Sequence, residues 1–247
     1  MLETSLNTML NHISAILQPH GFSAYLYGSV TNHDFKPGWS DIDFLCLTQS
    51  PIHHRAAEAL LPLRQALTQQ YPGNAYFKLF EGAITTLDVL IHHKQGTTVY
   101  WGSSGQRITN SYHLCPFSTI SLLESGRCVH GQDIRHLIKS PSPADIIAAI
   151  KAHYHTIRTH GKSGGGWMLD IARCLYTLKT NKVIAKTKAG EWAIAQTLCP
   201  DIQVMETVVD IRKNPMLLTN SIELQNFSNS LENHIQAFAD VLERALH

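Results

Sequence analysis

Leu26-Tyr27-Gly28-Ser29, followed after eleven residues by Asp41-Ile42-Asp43-Phe44, is the stretch on which the fold turns. Tyr25-Leu26-Tyr27 is a short aromatic and apolar run leading into Gly-Ser, and Asp41 to Leu47 alternates acids with apolar residues before becoming wholly apolar. Both read as strands. Asp41 and Asp43 stand at i and i+2, so a strand carries both carboxylates on one sheet face, about 7 Å apart at the backbone. Acids placed in this way converge on one or two divalent cations, and hard oxygen ligands favour magnesium. Gly28 permits close approach of the backbone to a phosphate, and Ser29 offers a hydroxyl and an N–H to its oxygens. Together these parts form a seat for a nucleoside triphosphate.

The flanking sequence extends this into a small α/β unit. Leu2, Leu6, Met9, Leu10, Ile13, Ile16 and Leu17 recur at helical steps until Pro19 and Gly21 stop them. Residues from Pro51 to about Gln70 are rich in alanine and leucine at helical spacing, and Tyr71-Pro72-Gly73-Asn74 is a turn. From Ala83 to His92 the β-branched run AITTLDVLIH, bounded by Gly82 and Gly96, predicts a third strand. A short helix over Phe117–Glu124 and an edge strand over Arg127–His130 complete the unit.

The chemistry calls for a third carboxylate, either as a further metal ligand or as the base that takes a proton from an attacking hydroxyl. Asp88 fits, because an acid among Thr86, Leu87, Val89, Leu90 and Ile91 is costly to desolvate unless a metal or donor compensates it. If the third strand pairs beside the second, Asp88 reaches the face that carries Asp41 and Asp43. Glu81 is the competitor, but with Gly82 beside it and no apolar frame it reads as part of a turn.

Ser140-Pro141-Ser142-Pro143 is the clearest boundary in the chain, since Ser142 can cap a helix that has Pro143 first and the acidic Asp145 third. Strand signals vanish beyond it. Helical patterns cover about 143–158, 167–179, 188–198, 202–212 and 221–246, and Gly164-Gly165-Gly166 reads as a flexible joint. The expectation is a catalytic domain over residues 1–140 and a helical acceptor-binding domain over 141–247, with the active site in the cleft between them.

Bulk properties remove several function classes. A formal charge of +1 lacks the basic excess with which proteins grip long nucleic acid, so no polymeric nucleic-acid partner is expected. No apolar run approaches the roughly 20 residues that cross a bilayer, and the segment from Met1 to Ile13 lacks a basic leader pattern. A cytoplasmic protein without a membrane partner is expected. Five cysteines without a CxxC pair indicate neither a disulfide framework nor a zinc knuckle. The neighbouring histidine pairs His53-His54 and His92-His93 point to different faces, a poor geometry for shared metal ligation.

The order apolar residue, Gly-Ser, spacer, Asp-apolar-Asp-apolar and later strand acid resembles the signature of the polymerase-β-like nucleotidyltransferases. The run Lys36-Pro37-Gly38-Trp39-Ser40-Asp41-Ile42-Asp43 is more narrowly similar to aminoglycoside adenylyltransferases of the spectinomycin and streptomycin type. So is the stretch from Leu169 to Trp192, with Arg173, Tyr176, Lys182, Lys186 and Glu191-Trp192-Ala193, and the stretch from Leu123 to Gly131 resembles that family's domain junction. The resemblance implies an α+β fold: a nucleotidyltransferase-type mixed sheet with flanking helices, followed by a C-terminal α-helical bundle.

It also implies transfer of AMP from magnesium-bound ATP to a hydroxyl of an aminoglycoside-type antibiotic, with release of pyrophosphate. In this reading Asp41 and Asp43 hold magnesium, one ion or two, while Gly28 and Ser29 contact phosphate. Asp88 stands where the family has its catalytic glutamate, and Lys186 reaches the nucleotide. The chain departs from the family ahead of Trp167, where Lys162-Ser163-Gly164-Gly165-Gly166 replaces the tryptophan and acids that clasp the cationic drug. Trp167 and Asp170, one helical turn apart, could supply an equivalent pair. Transfer to another acceptor (a metabolite, a protein hydroxyl or an RNA end) and a non-catalytic nucleotide-binding protein are the alternative readings. The sequence sets no oligomeric state.

Overall fold

The computed structural model describes residues 1–19, 21–37, 39–102 and 105–247. Gly38, within the run that resembles the adenylyltransferases, lies outside the described residues. Two compact units divide the chain, Met1–Ser140 and Pro141–His247.

In the first unit, helix α1 (Leu2–Leu17) leads into strands β1 (Phe22–Tyr27) and β2 (Ile42–Thr48). Helices α2 (His54–Leu60) and α3 (Leu63–Gln70) follow, then β3 (Phe80–Thr86), helix α4 (Leu87–His92), strands β4 (Thr98–Gly102) and β5 (Gly105–Thr109), helix α5 (Pro116–Ser125) and β6 (Arg127–His130). The six strands form one mixed sheet in the order β5-β4-β3-β2-β1-β6, parallel only between β2 and β3. The two-residue period of the strands divides the core between the two faces. Leu26, Phe44, Cys46 and Ile84 pack with Met9, Ile13 and Leu60 on one side, and Tyr25, Tyr27, Leu45, Leu47 and Ala83 pack with Leu90 and Leu122 on the other. A sheet buried on both faces explains why β1 and β2 are almost continuously apolar rather than alternating.

The structure departs from the sequence expectation at three places in this unit. The helix expected over residues 51–70 is two helices, because Pro62 lacks the N–H that an unbroken helix needs there. Strands β4 and β5 follow α4 where the sequence reading had no strand. Most consequentially, the third strand starts at Phe80 and ends at Thr86, and the rest of the AITTLDVLIH run is α4. The Thr86 hydroxyl accepts the Val89 N–H as an N-cap, and Asp88 in the first turn suits the positive end of the helix dipole.

The second unit is entirely helical: α6 (Pro143–His160), α7 (Gly166–Thr180), α8 (Lys186–Ala195), α9 (Ile202–Lys213), α10 (Met216–Asn220), α11 (Ile222–Asn229) and α12 (Glu232–Leu246). Ser142 and Asp145 form a reciprocal capping box at the start of α6, with Pro143 in the first turn. Arg158 on α6 fastens α12 through Asp240, Glu243 and the Gln236 carbonyl. Gly164-Gly165-Gly166 is no loose joint. Gly164 N–H donates to the Ser228 carbonyl, Gly165 lies against Val208, and Gly166 opens α7. No helix among the described residues is long and apolar enough to cross a membrane.

Candidate active site

Parallel pairing of β2 with β3 sets Asp43 directly opposite Glu81, and antiparallel pairing of β1 with β2 sets Tyr27 opposite Asp43. Residues in register on paired strands share a sheet face, so both carboxylates stand on the face that carries Tyr27, Leu45 and Ala83. They border a cavity of about 530 Å³ whose walls include Tyr27, Tyr100, Arg107 and Tyr112. Asp41 precedes β2 at the exposed approach, and its carbonyl accepts the Ser29 hydroxyl at 3.3 Å.

Gly28 ends β1 at a φ of +70°, and a Cβ placed there would lie 1.9 Å from Asp43 Oδ2. The glycine therefore serves both the left-handed turn and the close seating of the Asp43 carboxylate. Its N–H donates to Ser121 Oγ on α5 at 3.1 Å, and its carbonyl accepts the Asn32 N–H at 3.0 Å. The loop after Gly-Ser is thus tied to α5 and closed on itself. Gly28→Ala should cost about 1–2 kcal/mol from backbone strain. By displacing Asp43 it should also lower turnover by about 100-fold. Chemical denaturation and initial-rate measurements on the same preparation check both effects.

Asp88 does not join this group. It lies on α4, about 59% exposed, with Oδ1 at 3.1 Å from His92 Nδ1 and Oδ2 at 2.9 Å from Lys94 Nζ. The hydrogen bond from Lys94, then that from His92, holds its carboxyl below the usual aspartate range. An exposed acid on α4, bonded to Lys94 and His92, does not have the buried position on a strand beside Asp43 that the sequence reading gives it. The β-branched run reads as one strand through Asp88, but the Thr86 cap turns its second half into a helix. Glu81, read as part of a turn, is the strand acid. Gly82 fits within β3 because a Cβ there would meet the Phe44 carbonyl oxygen at 1.7 Å, so the glycine marks close backbone approach rather than a bend. The alternation of Phe80, Gly82 and Ile84 with Glu81, Ala83 and Thr85 was the available signal.

Four further residues that the sequence reading does not assign to the site frame Glu81. Tyr100 donates its hydroxyl to Glu81 Oε1 at 3.1 Å. Tyr27 and Tyr112 are hydrogen-bonded to each other, and burial, with neighbouring phenols and Asp43 adding to it, pushes both above the ordinary phenol range. Both remain neutral O–H groups at physiological pH. Arg64 on α3 donates to the carbonyls of Phe80 at 2.9 Å and Gly102 at 3.2 Å, fixing the ends of β3 and β4 beside the acid. Among the described residues, no three His, Cys, Asp or Glu side chains form a ready-made metal site.

In the second unit, Asp170 on α7 is 14% exposed, with Arg173 at 2.7 Å and Lys186 at 2.9 Å. Burial alone would raise its carboxyl, but the Lys186 and Arg173 charges outweigh burial and hold it at about 2. His153 faces the same group, and burial, opposed by Asp170, lowers its pKa. Trp167 is half-buried at the start of α7. The expected Trp167–Asp170 clasp therefore lacks an uncompensated anion, because the Asp170 carboxylate is already shared between two cations. Lys186, expected at a nucleotide, has its ammonium on Asp170.

Residues 136–216 match the family model of the aminoglycoside adenylyltransferase C-terminal domain. That adenylyltransferase-type segment carries Asp170, Arg173 and Lys186. The fold is similar to the crystal structure of spectinomycin adenyltransferase AAD(9) from Enterococcus faecialis with ATP and spectinomycin. The TM-score is 0.69 with 18% sequence identity, covering 98% of this chain and all of that one. The chain thus resembles the aminoglycoside adenylyltransferases both in this helical segment and in its α+β fold. No curated protein sequence matches it.

Proposed function

We propose that the chain is a nucleotidyltransferase that moves AMP from ATP to a hydroxyl of an aminoglycoside-type acceptor and releases pyrophosphate. The observation that carries this reading is the in-register pair Asp43 and Glu81 at a cavity edge, with Gly28-Ser29 turning away beside Asp43. The adenylyltransferase-type C-terminal segment and the likeness to an enzyme bound to ATP and spectinomycin support it.

Each residue has a task in this reaction. Gly28 and Ser29 form the tight turn at the phosphates, where the Ser29 N–H and, on turning from the Asp41 carbonyl, its hydroxyl would donate to phosphate oxygens. Glu81 accepts the proton of the acceptor hydroxyl, whose oxygen then forms a bond to the α-phosphorus as the bond to the pyrophosphate oxygen breaks. Tyr27 and Tyr112 stay neutral and line the cavity with phenol rings suited to the apolar faces of a sugar or cyclitol. Magnesium fits the donor set, since it commonly takes one or two carboxylates with substrate phosphates rather than an all-protein cage, and Asp43, with Asp41 at the approach, would hold it. Bound there, magnesium would offset charge on the phosphates and on the departing pyrophosphate.

The shared charge on Asp170 favours a second reading, in which the acceptor is a less cationic hydroxyl compound. Purified protein should be incubated with ATP and magnesium against spectinomycin, streptomycin and other aminoglycosides, following pyrophosphate and the acceptor mass. A gain of one AMP on one drug is the expected result. ATP binding with every drug unmodified would reject the aminoglycoside acceptor.

A further inference from the structure

We infer that Tyr100 is the positioning residue for Glu81, setting the direction in which the carboxylate faces the acceptor. This inference rests on the reading of Glu81 as the base. Tyr100 lies on β4 opposite Ala83, two residues along β3 from Glu81, so the phenol crosses diagonally to the acid on the same sheet face. Its hydroxyl reaches only one oxygen, Oε1 at 3.1 Å. A glutamate has three rotatable torsions, and a donor held against one carboxylate oxygen narrows the orientations open to the whole group.

The phenol is itself held from several directions. The Arg107 guanidinium lies 4.3 Å above the ring centroid, and the Tyr112 ring is 6.3 Å away. Gly102 lies so close to the ring that a Cβ there would be 2.3 Å from Tyr100 Cε1. Arg64, by tying Phe80 and Gly102, fixes the separation of the strands that carry donor and acceptor. Tyr100 thus transmits the geometry of β4 and β5 to the acid on β3. A rigid second layer of this kind is what holds a reactive group within the narrow tolerance that proton transfer needs.

The test pairs Tyr100→Phe with Tyr100→Gln, the latter returning a hydrogen-bond donor on a shorter side chain. With spectinomycin and magnesium-ATP, Y100F should lower kcat by about tenfold with KM for both substrates unchanged, as expected for one lost hydrogen bond to a charged group. Y100Q should recover part of that loss, and the melting temperature of Y100F, which keeps the ring, should match that of the wild type. Crystal structures of the wild type and Y100F supply a readout that needs no turnover: the Glu81 carboxylate should leave its wild-type rotamer. An unmoved carboxylate, or Y100F turning over like the wild type while Glu81→Gln is dead, would overturn the role of Tyr100 and leave the proposed reaction intact. A wild type inert toward every acceptor would instead count against the proposed reaction, with the rotamer comparison still deciding the positioning claim.

Discussion

Glu81→Gln should reduce AMP transfer by about 100- to 10,000-fold, the range expected when a general base is removed, while Asp88→Asn leaves turnover unchanged. The contrast follows from placement. Glu81 stands in register with Asp43 on neighbouring strands and borders the cavity, whereas Asp88 lies on a surface helix between His92 and Lys94. Glutamine keeps the size of Glu81 and its capacity to accept from Tyr100, so the strand pairing should survive and the lost function is proton acceptance alone. Equal melting temperatures for the two variants, measured alongside the rates, separate lost chemistry from lost structure.

Asp170→Asn should have the largest effect on stability. Removing the carboxylate takes away the charge that Arg173 and Lys186 share, at a cost of about 3 kcal/mol for a mostly buried arrangement. The same group gives the helical unit a defined acid sensitivity. Its carboxyl titrates at about 2 in the folded chain, and an unpaired aspartate near ~3.9. A depressed carboxyl stabilises the fold fully above the unfolded value, and that contribution is lost as pH falls from about 4 through about 2. Thermal melting of wild type and variant across this window should show the two curves converging at the acid end. A difference that stays constant down to the lowest pH would mean that Asp170 carries no charge-dependent stability.

The sequence was most informative where local chemistry and tertiary demand agree. Gly-Ser and Asp-x-Asp name two strand ends and a turn because each residue type does there what its backbone or carboxylate does anywhere. The Ser142–Asp145 cap was equally legible, being a local exchange of hydrogen bonds. What was not legible depended on partners distant in the chain. Glu81 looks like a turn residue until β2 lies beside it and the Phe44 carbonyl explains why position 82 has no side chain. Asp88 looks like a strand acid until Thr86 caps a helix in front of it. Asp170 looks like a spare anion on α7 until Lys186, sixteen residues later, is folded back onto it. Arg64 and Tyr100 carry no motif, and only their reach to β3 gives them a place in the site.

The central claim is that Glu81, not Asp88, completes the acid pair of a nucleotidyltransferase. The most direct test is pyrophosphate release from magnesium-ATP with spectinomycin, measured side by side for the wild type, Glu81→Gln and Asp88→Asn. The account predicts acceptor-dependent release by the wild type and Asp88→Asn and release at least about 100-fold slower by Glu81→Gln. Release that persists in Glu81→Gln and disappears in Asp88→Asn would contradict it.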